Sequence, residues 1–244
     1  MLTLSRLMPV CLLLFNLNAK AQVSNQSEND TNPKTFAEIY SLTEKALGID
    51  QELVIGEMYE DHYRGAIRHP FLLEDKFTNG SIIFKNKTYN NLNLKYDIYD
   101  QKVIVDYYYN QTQLRFCLQN EFLDQFVIYD KIFKKIKLDG KDEAIYQVIE
   151  NENLTCLYYW FRVRTESDHL LPKISYEFSP EKRKRYLMVR GELSSFRSNA
   201  SFIKSFPKNI RKPIKKKIKS SKLFVASAND TQMQNLLDFC NSLL

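Results

Sequence analysis

Between residues 67 and 196 the sequence is a succession of short runs of β-branched and aromatic residues, separated by turn-forming residues. Such runs favour strands, and their spacing of roughly 8–12 residues leaves no room for helices between them. The chain is therefore predicted to be mainly β (α+β), with its strands in an antiparallel meander. Runs 107–109 and 158–161 do not alternate with polar residues, which indicates strands covered on both faces. We therefore expect a curled or barrel-like sheet rather than a flat one.

The positions of these runs give the predicted strands. They are residues 81–84, 92–99, 102–109, 113–118, 126–129, 144–150, 154–164, 173–178 and 185–190. The pair Asn79-Gly80 is predicted to form a tight turn before the first strand. The pairs Asn86-Lys87 and Asn90-Asn91 are predicted to separate the next strands, and later turns are expected at residues 100–101, 139–140 and 151–153.

After this β unit, which spans residues 49–196, the apolar residues return to helical spacing. The basic region 197–244 is therefore predicted to be helical and to pack on the β unit. Isoleucines recur every four residues from 210 to 218, so Pro213 lies either near the start of that helix or at a kink in it. A last helix is predicted to begin at Asn229 or Asp230.

The N-terminal residues carry the pattern of an export signal. Residues 1–21 combine Arg6, a short apolar run and the small residues of Ala19-Lys20-Ala21, so a secretory signal peptide is expected, cleaved after Ala21. The apolar run is about half of what a bilayer-spanning helix needs. A flexible leader at 22–34 and a short helix at 35–48 are predicted to follow. The mature protein is expected to be periplasmic or secreted, without a transmembrane segment.

Composition excludes several classes of protein. The 244 residues are 44% hydrophobic and 13% aromatic, which excludes a disordered chain and suits one domain or a domain and a half. Four cysteines are too few for a disulfide scaffold. Cys117, Cys156 and Cys240 lack the close spacing of a zinc site, and their apolar neighbours favour buried thiols. No metal site and no cofactor are predicted.

Three stretches carry a resemblance to a known group of proteins. They are Arg68-His69-Pro70-Phe71, the stretch from Asn79-Gly80-Ser81 to Phe84, and the stretch from Tyr89 to Leu94-Lys95-Tyr96-Asp97. Together with the lysine-rich tail and the final leucine-rich helix, the chain resembles an uncharacterised family of exported β-rich proteins of Bacteroidetes-type bacteria. The resemblance implies an envelope protein and, because that family has no established activity, no functional residues.

Residues 57–69 form the densest polar cluster of the sequence. It holds Glu57, Glu60, Asp61, His62 and His69, and imidazole beside carboxylate can serve in acid–base catalysis or metal binding. The alternative is an exposed segment whose charges face water, because no ligand spacing recurs. His169, in a loop, is expected to be a surface residue. No nucleophile elbow, zinc-protease helix, paired-cysteine motif or phosphate loop is present.

Aromatic side chains raise a second possibility, a platform for sugar rings. Trp160 with Tyr158 or Tyr159 would be its candidates, whereas aromatic residues in a β core are the commoner case.

The most specific signal is the distribution of charge. Residues 182–222 contain fifteen Lys or Arg and a single acidic residue, Glu192, which gives +14. The rest of the mature chain then carries −10. Such a basic end can be a solvated surface, or it can contact an anionic membrane face, an acidic envelope protein or an anionic polymer. Lys215, Lys216, Lys217 and Lys219 are the predicted binding residues, and nucleic acid is not an expected partner.

Eight Asn-x-Ser/Thr sequences are present, at Asn25, Asn29, Asn79, Asn86, Asn110, Asn153, Asn199 and Asn229. Chance would give about two, and in a eukaryotic secretory pathway they would direct glycosylation. Because the resemblance is bacterial, we interpret them as asparagine-rich turns next to strand-forming Ser or Thr.

These observations predict an exported accessory or binding protein of the bacterial cell envelope without catalytic activity. The alternative is a small envelope hydrolase that uses the cluster at residues 57–69. Alanine at Glu57, Glu60, Asp61, His62 or His69 should leave a binding protein functional, whereas a hydrolase should lose activity at two or more of them.

Overall fold

The computed structural model describes residues 53–54, 56–109, 112–166 and 176–244. This part of the chain is mainly β, with an open antiparallel sheet of eleven strands and a few helices at the C-terminus, so the predicted fold class is confirmed. The sheet does not close into a barrel. The predicted signal peptide, leader and first helix lie outside the described residues, as does His169.

The strands are β1 Glu57–Met58, β2 Thr78–Phe84, β3 Lys87–Asp97, β4 Lys102–Tyr109, β5 Thr112–Cys117, β6 Leu123–Ile128, β7 Lys131–Lys137, β8 Glu143–Glu150, β9 Leu154–Phe161, β10 Arg164–Glu166, β11 Tyr176–Phe178, β12 Lys182–Val189 and β13 Glu192–Ser195. The order in the large sheet is β1-β5-β4-β3-β2-β6-β7-β8-β9-β12-β13. Two meanders, β2 to β5 and β6 to β9, are therefore joined where β6 pairs with β2, and β10 and β11 form a separate ribbon.

Three hairpins of the large sheet use two-residue turns with positive φ at both positions. They are Lys85-Asn86 (φ 50° and 61°), Tyr129-Asp130 (52° and 56°) and Arg190-Gly191 (49° and 87°). This backbone matches the right-handed twist of the flanking strands. The first turn lies one residue before the predicted pair. The other two were not predicted, and so β7 and β13, which follow them, were missed.

The pair Asn79-Gly80 does not form the predicted tight turn. It lies inside β2, between β3 and β6. Glycine is needed there because a Cβ on Gly80 would come within 2.3 Å of the Val127 carbonyl oxygen. Opposite this point, β3 has one extra residue, and Asn91 has φ 56°. The predicted break at Asn90-Asn91 is therefore a bulge within one strand.

The single strand predicted at 154–164 is two strands. β9 ends at Phe161 and pairs with β8 and β12, whereas β10 pairs with β11. Arg162 lies between them, with its guanidinium donating to the carbonyl oxygens of Phe71 and Ser179. These contacts turn the chain out of the large sheet.

After β13 the chain forms α1 Asn199–Lys204, a 3-10 turn at Lys208–Ile210, α2 Arg211–Ser220 and α3 Asp230–Asn241. Pro213 lies in the first turn of α2, where no backbone donor is required, so the helix starts late instead of kinking. Asn229 caps α3, since its side chain accepts the N–H of Gln232.

The two faces of the sheet around β12 have different surroundings. Leu187 and Val189 point to one face and share the main core with Phe202, Ile214 and Met233 of the three helices. Tyr186 points to the other face, where it packs on a smaller cluster around Leu157. We call these the helix face and the outer face.

Candidate functional site

Three of the five residues predicted for catalysis line one crevice beside β1. Glu57, Glu60 and His62 share it with Asp97 and Cys117. The Glu57 carboxylate lies 3.3 Å from Lys102 Nζ at the surface, and the His62 side chain is exposed.

Asp97, which was not among the predicted site residues, is the buried acidic group of this crevice. Its carboxylate accepts the N–H groups of Tyr99 and Asp100 at 2.8 and 2.9 Å, which fixes the turn after β3. Burial raises the pKa of Asp97 to about 6, and the two hydrogen bonds oppose that shift. Asp97 thus has a structural role that accounts for its position, although its carboxyl group would titrate in a range useful for acid–base chemistry.

Asp61 and His69 do not line the crevice. The Asp61 carboxylate accepts the N–H of Tyr63 at 3.2 Å, within its own turn. His69 stacks on Phe71, its Nδ1 accepts the Phe71 N–H, and burial followed by the charge of Arg162 lowers its pKa. The predicted cluster is thus divided between two environments, and hydrolase function stays a prediction.

The four lysines predicted to bind partners lie on α2. Lys212, Lys215, Lys216 and Lys219 recur at positions i, i+3, i+4 and i+7, so they form one exposed stripe. We call Lys212, Lys215, Lys216 and Lys219 the lysine stripe; it differs from the predicted set in having Lys212 in place of Lys217. On the other side of the helix, Ile214 and Ile218 are buried in the main core. Lys217 lies outside the stripe, and its ammonium is 5.3 Å from the Phe239 ring of α3.

The lysine stripe has no carboxylate partner among the described residues. Some other basic residues of the 182–222 region donate to backbone carbonyl groups. Arg183 and Arg185 donate to the carbonyl oxygens of Ala226 and Ala228, and Arg211 donates to that of Phe206. α2 therefore presents four exposed lysines on one side, with no described carboxylate to neutralise them.

An exposed aromatic residue follows the same helix. Phe224 is 72% exposed and lies two residues after Lys222, in the segment that leaves α2. A large apolar side chain next to lysines is typical of protein surfaces that contact the headgroup region of a bilayer.

Of the aromatic residues considered for a sugar platform, Tyr158 and Trp160 are core residues, which was the commoner case. Tyr158 and Trp160 point to the helix face and are buried. Tyr159 points to the outer face, as strand alternation requires, and its ring lies 5.8 Å from Tyr146 and 6.0 Å from Phe161. The aromatic residues that cluster on the outer face therefore come from more than one strand. Neighbouring positions in the sequence could not identify them as a cluster.

Metal ligation and disulfide chemistry find no support in the described residues. No group of three His, Cys, Asp or Glu side chains there is arranged to hold a metal ion. Cys117, Cys156 and Cys240 are buried, as expected, and none of them is paired. Burial raises the thiol pKa of Cys156 and Cys240 to about 12.

Comparison with protein-family models, curated proteins and solved structures finds no match for this chain. In the described part, no helix is long and apolar enough to cross a membrane.

Proposed function

We propose that this chain is an exported accessory protein of the bacterial cell envelope that binds an anionic membrane surface through α2. The observation that carries the proposal is the lysine stripe, which is exposed while the opposite side of the helix is anchored in the core. Because the helix is held rigidly, its lysines can meet a flat surface without the ordering cost of a flexible tail.

Electrostatics and the exposed Phe224 act together in this proposal. Each lysine near an anionic bilayer contributes about 1 kcal/mol, so a stripe of four supplies a useful but reversible affinity. Phe224 adds apolar area that can enter the headgroup region. An acidic envelope protein is the competing partner, and it would need carboxylates spaced to match the stripe.

Co-sedimentation with vesicles tests the proposal. Wild-type protein should bind vesicles with roughly one third anionic lipid, and charge reversal at Lys215, Lys216, Lys217 and Lys219 should lower the affinity at least tenfold. Neutral vesicles should bind neither form.

Two double variants separate local charge from net charge. Lys215→Glu with Lys219→Glu should weaken vesicle binding strongly, whereas Lys85→Glu with Lys137→Glu makes the same change in net charge away from α2 and should have little effect. Equal loss in both pairs, or unchanged binding in the quadruple variant, contradicts the membrane proposal. Export is supported if a chain that begins at Gln22 is recovered from the periplasmic fraction.

A further inference from the structure

A second basic surface lies at the edge of the sheet, where β13 ends. β13 pairs only with Tyr186 to Val189 of β12, so the first half of β12 has no strand on that side. After Ser195 the chain turns away, and the Phe196 N–H donates to the Arg185 carbonyl oxygen at 3.1 Å. The result is an open cleft of about 590 Å³, a volume within the range of small-ligand sites. We call it the β12–β13 cleft.

The lining of the β12–β13 cleft carries five cations, Lys141, Arg183, Lys184, Arg185 and Arg197, and no carboxylate. The guanidinium groups of Arg183 and Arg185 donate hydrogen bonds to backbone carbonyl oxygens. Lys141, Lys184 and Arg197 are exposed, and no described carboxylate pairs with them. Three cations from three different parts of the chain thus meet at one cleft.

Aromatic rings of the outer face hold two of these cations in place. The Lys141 ammonium lies 3.8 Å from the centre of the Tyr186 ring, and the Lys184 ammonium lies 5.5 Å from Tyr159 and from Phe161. Cation–π contacts orient a lysine without neutralising it, so both ammonium groups keep their charge for a ligand. Asp139 and Asp142 flank Lys141 in its loop but do not line the cleft.

We infer that the β12–β13 cleft binds an acidic oligosaccharide, a use separate from membrane binding by α2. Its open shape suits an extended chain, and its three cations suit a ligand with several negative groups. Ser195 and Tyr186 supply hydroxyl groups, while Phe161 and Leu193 supply apolar surface for the faces of sugar rings.

Titration calorimetry with trigalacturonic acid as the probe tests the inference on the purified protein. Wild-type protein should bind it, and its neutral methyl ester should not bind. Lys141→Ala with Lys184→Ala should weaken binding at least tenfold, and Arg197→Ala should weaken it as well. Lys184→Arg should retain most of the affinity, because the charge is preserved.

The matched control is Lys215→Ala with Lys219→Ala, which removes two lysines from α2 and should leave trigalacturonate binding unchanged. Circular dichroism establishes that each variant is folded. Absence of trigalacturonate binding overturns the inference, as does equal loss in the α2 control. Tighter binding of inorganic pyrophosphate or of a single-stranded oligonucleotide would assign the cleft to a phosphate ligand and also overturns it.

Discussion

At the scale of single residues, Asp97 shows how a turn can be fixed at an electrostatic cost. Asp97 is 5% exposed and its carboxylate accepts two backbone N–H groups, so an acceptor is required at this position. A neutral amide oxygen could accept the same bonds without the cost of burying a charge.

Replacement of Asp97 by Asn should therefore change how stability depends on pH. The folded-state pKa of about 6 lies above the ordinary value of 3.8, so the folded protein favours the protonated carboxyl group. That contribution is fully present below the unfolded pKa and is lost as pH rises through 6. Relative to wild type, the Asp97→Asn variant should gain about 2 kcal/mol in unfolding free energy between about pH 4 and about pH 7.

Urea denaturation across that pH range measures the difference. The exposed Asp142→Asn is the control for the loss of one carboxylate. A difference between Asp97→Asn and wild type that does not change with pH would contradict the burial argument.

Asparagines of the Asn-x-Ser/Thr sequences also have structural roles. Asn199 donates to the Leu223 carbonyl oxygen and accepts the Val225 N–H, at 2.8 and 2.9 Å. Asn153 donates to Asn241 Oδ1 of α3 at 2.8 Å. A glycan on Nδ2 would replace a hydrogen of the donating amide and crowd its acceptor, so both asparagines have structural roles. Asn199 begins α1, however, and so does not lie in a turn before a strand as the sequence predicted.

At the scale of elements, α2 ends in a motif that normally favours glycine. Lys222 has φ 50°, and the N–H groups of Leu223 and Lys222 donate to the carbonyl oxygens of Ile218 and Lys219 at 3.0 and 3.2 Å. This is a Schellman arrangement with lysine in the left-handed position.

Lys222→Gly should relieve the strain of that position and raise the free energy of unfolding by up to about 1 kcal/mol. Lys219→Gly removes the same charge from a helical position, and should lower the free energy of unfolding by roughly 0.5–1 kcal/mol. Thermal unfolding of the two variants gives shifts of opposite sign. A shift of the same sign in both would show that charge, rather than backbone geometry, determines stability here.

Sequence patterns predicted the type of each secondary-structure element better than its first and last residues. The alternation of Leu94 and Tyr96 marked a buried side of β3 because a strand has a period of two. The turn at Tyr129-Asp130 was missed because Tyr129 favours strands, which left Asp130 as a single turn-forming residue between two apolar runs. Gly80 was wrongly assigned to a turn. A glycine is required there because the Val127 carbonyl oxygen of another strand approaches closely, and the sequence alone does not show that contact.

In the candidate sites, too, features that depend on residues close in sequence could be predicted, whereas features that depend on residues far apart in sequence could not. Three residues of the lysine stripe, Lys215, Lys216 and Lys219, could be predicted because they lie within one lysine-rich helical segment. Lys212 was not predicted, and the predicted Lys217 lies outside the stripe. The β12–β13 cleft could not, because Lys141, Lys184 and Arg197 meet only after β7, β8, β9 and β12 have paired. Asp97 likewise joins Glu57 and His62 only through the pairing of β1 with β5.

At the scale of the whole molecule, the two proposed surfaces lie on different sides of the sheet. α2 packs through Ile214 into the core on the helix face. Lys141 and Lys184 lie over aromatic rings of the outer face. A protein attached to a bilayer through the lysine stripe would thus leave the β12–β13 cleft open to solvent.

This arrangement predicts that the two ligands bind together. Vesicles with anionic lipid, floated through a density gradient with wild-type protein, should carry labelled trigalacturonate with them, because neither ligand covers the other's lysines. Lys141→Ala with Lys184→Ala should float with the vesicles without the saccharide, and the quadruple α2 charge reversal should leave both in the lower layer. Release of wild-type protein from vesicles by trigalacturonate would contradict the prediction, since it would mean that both anions compete for the same basic surface.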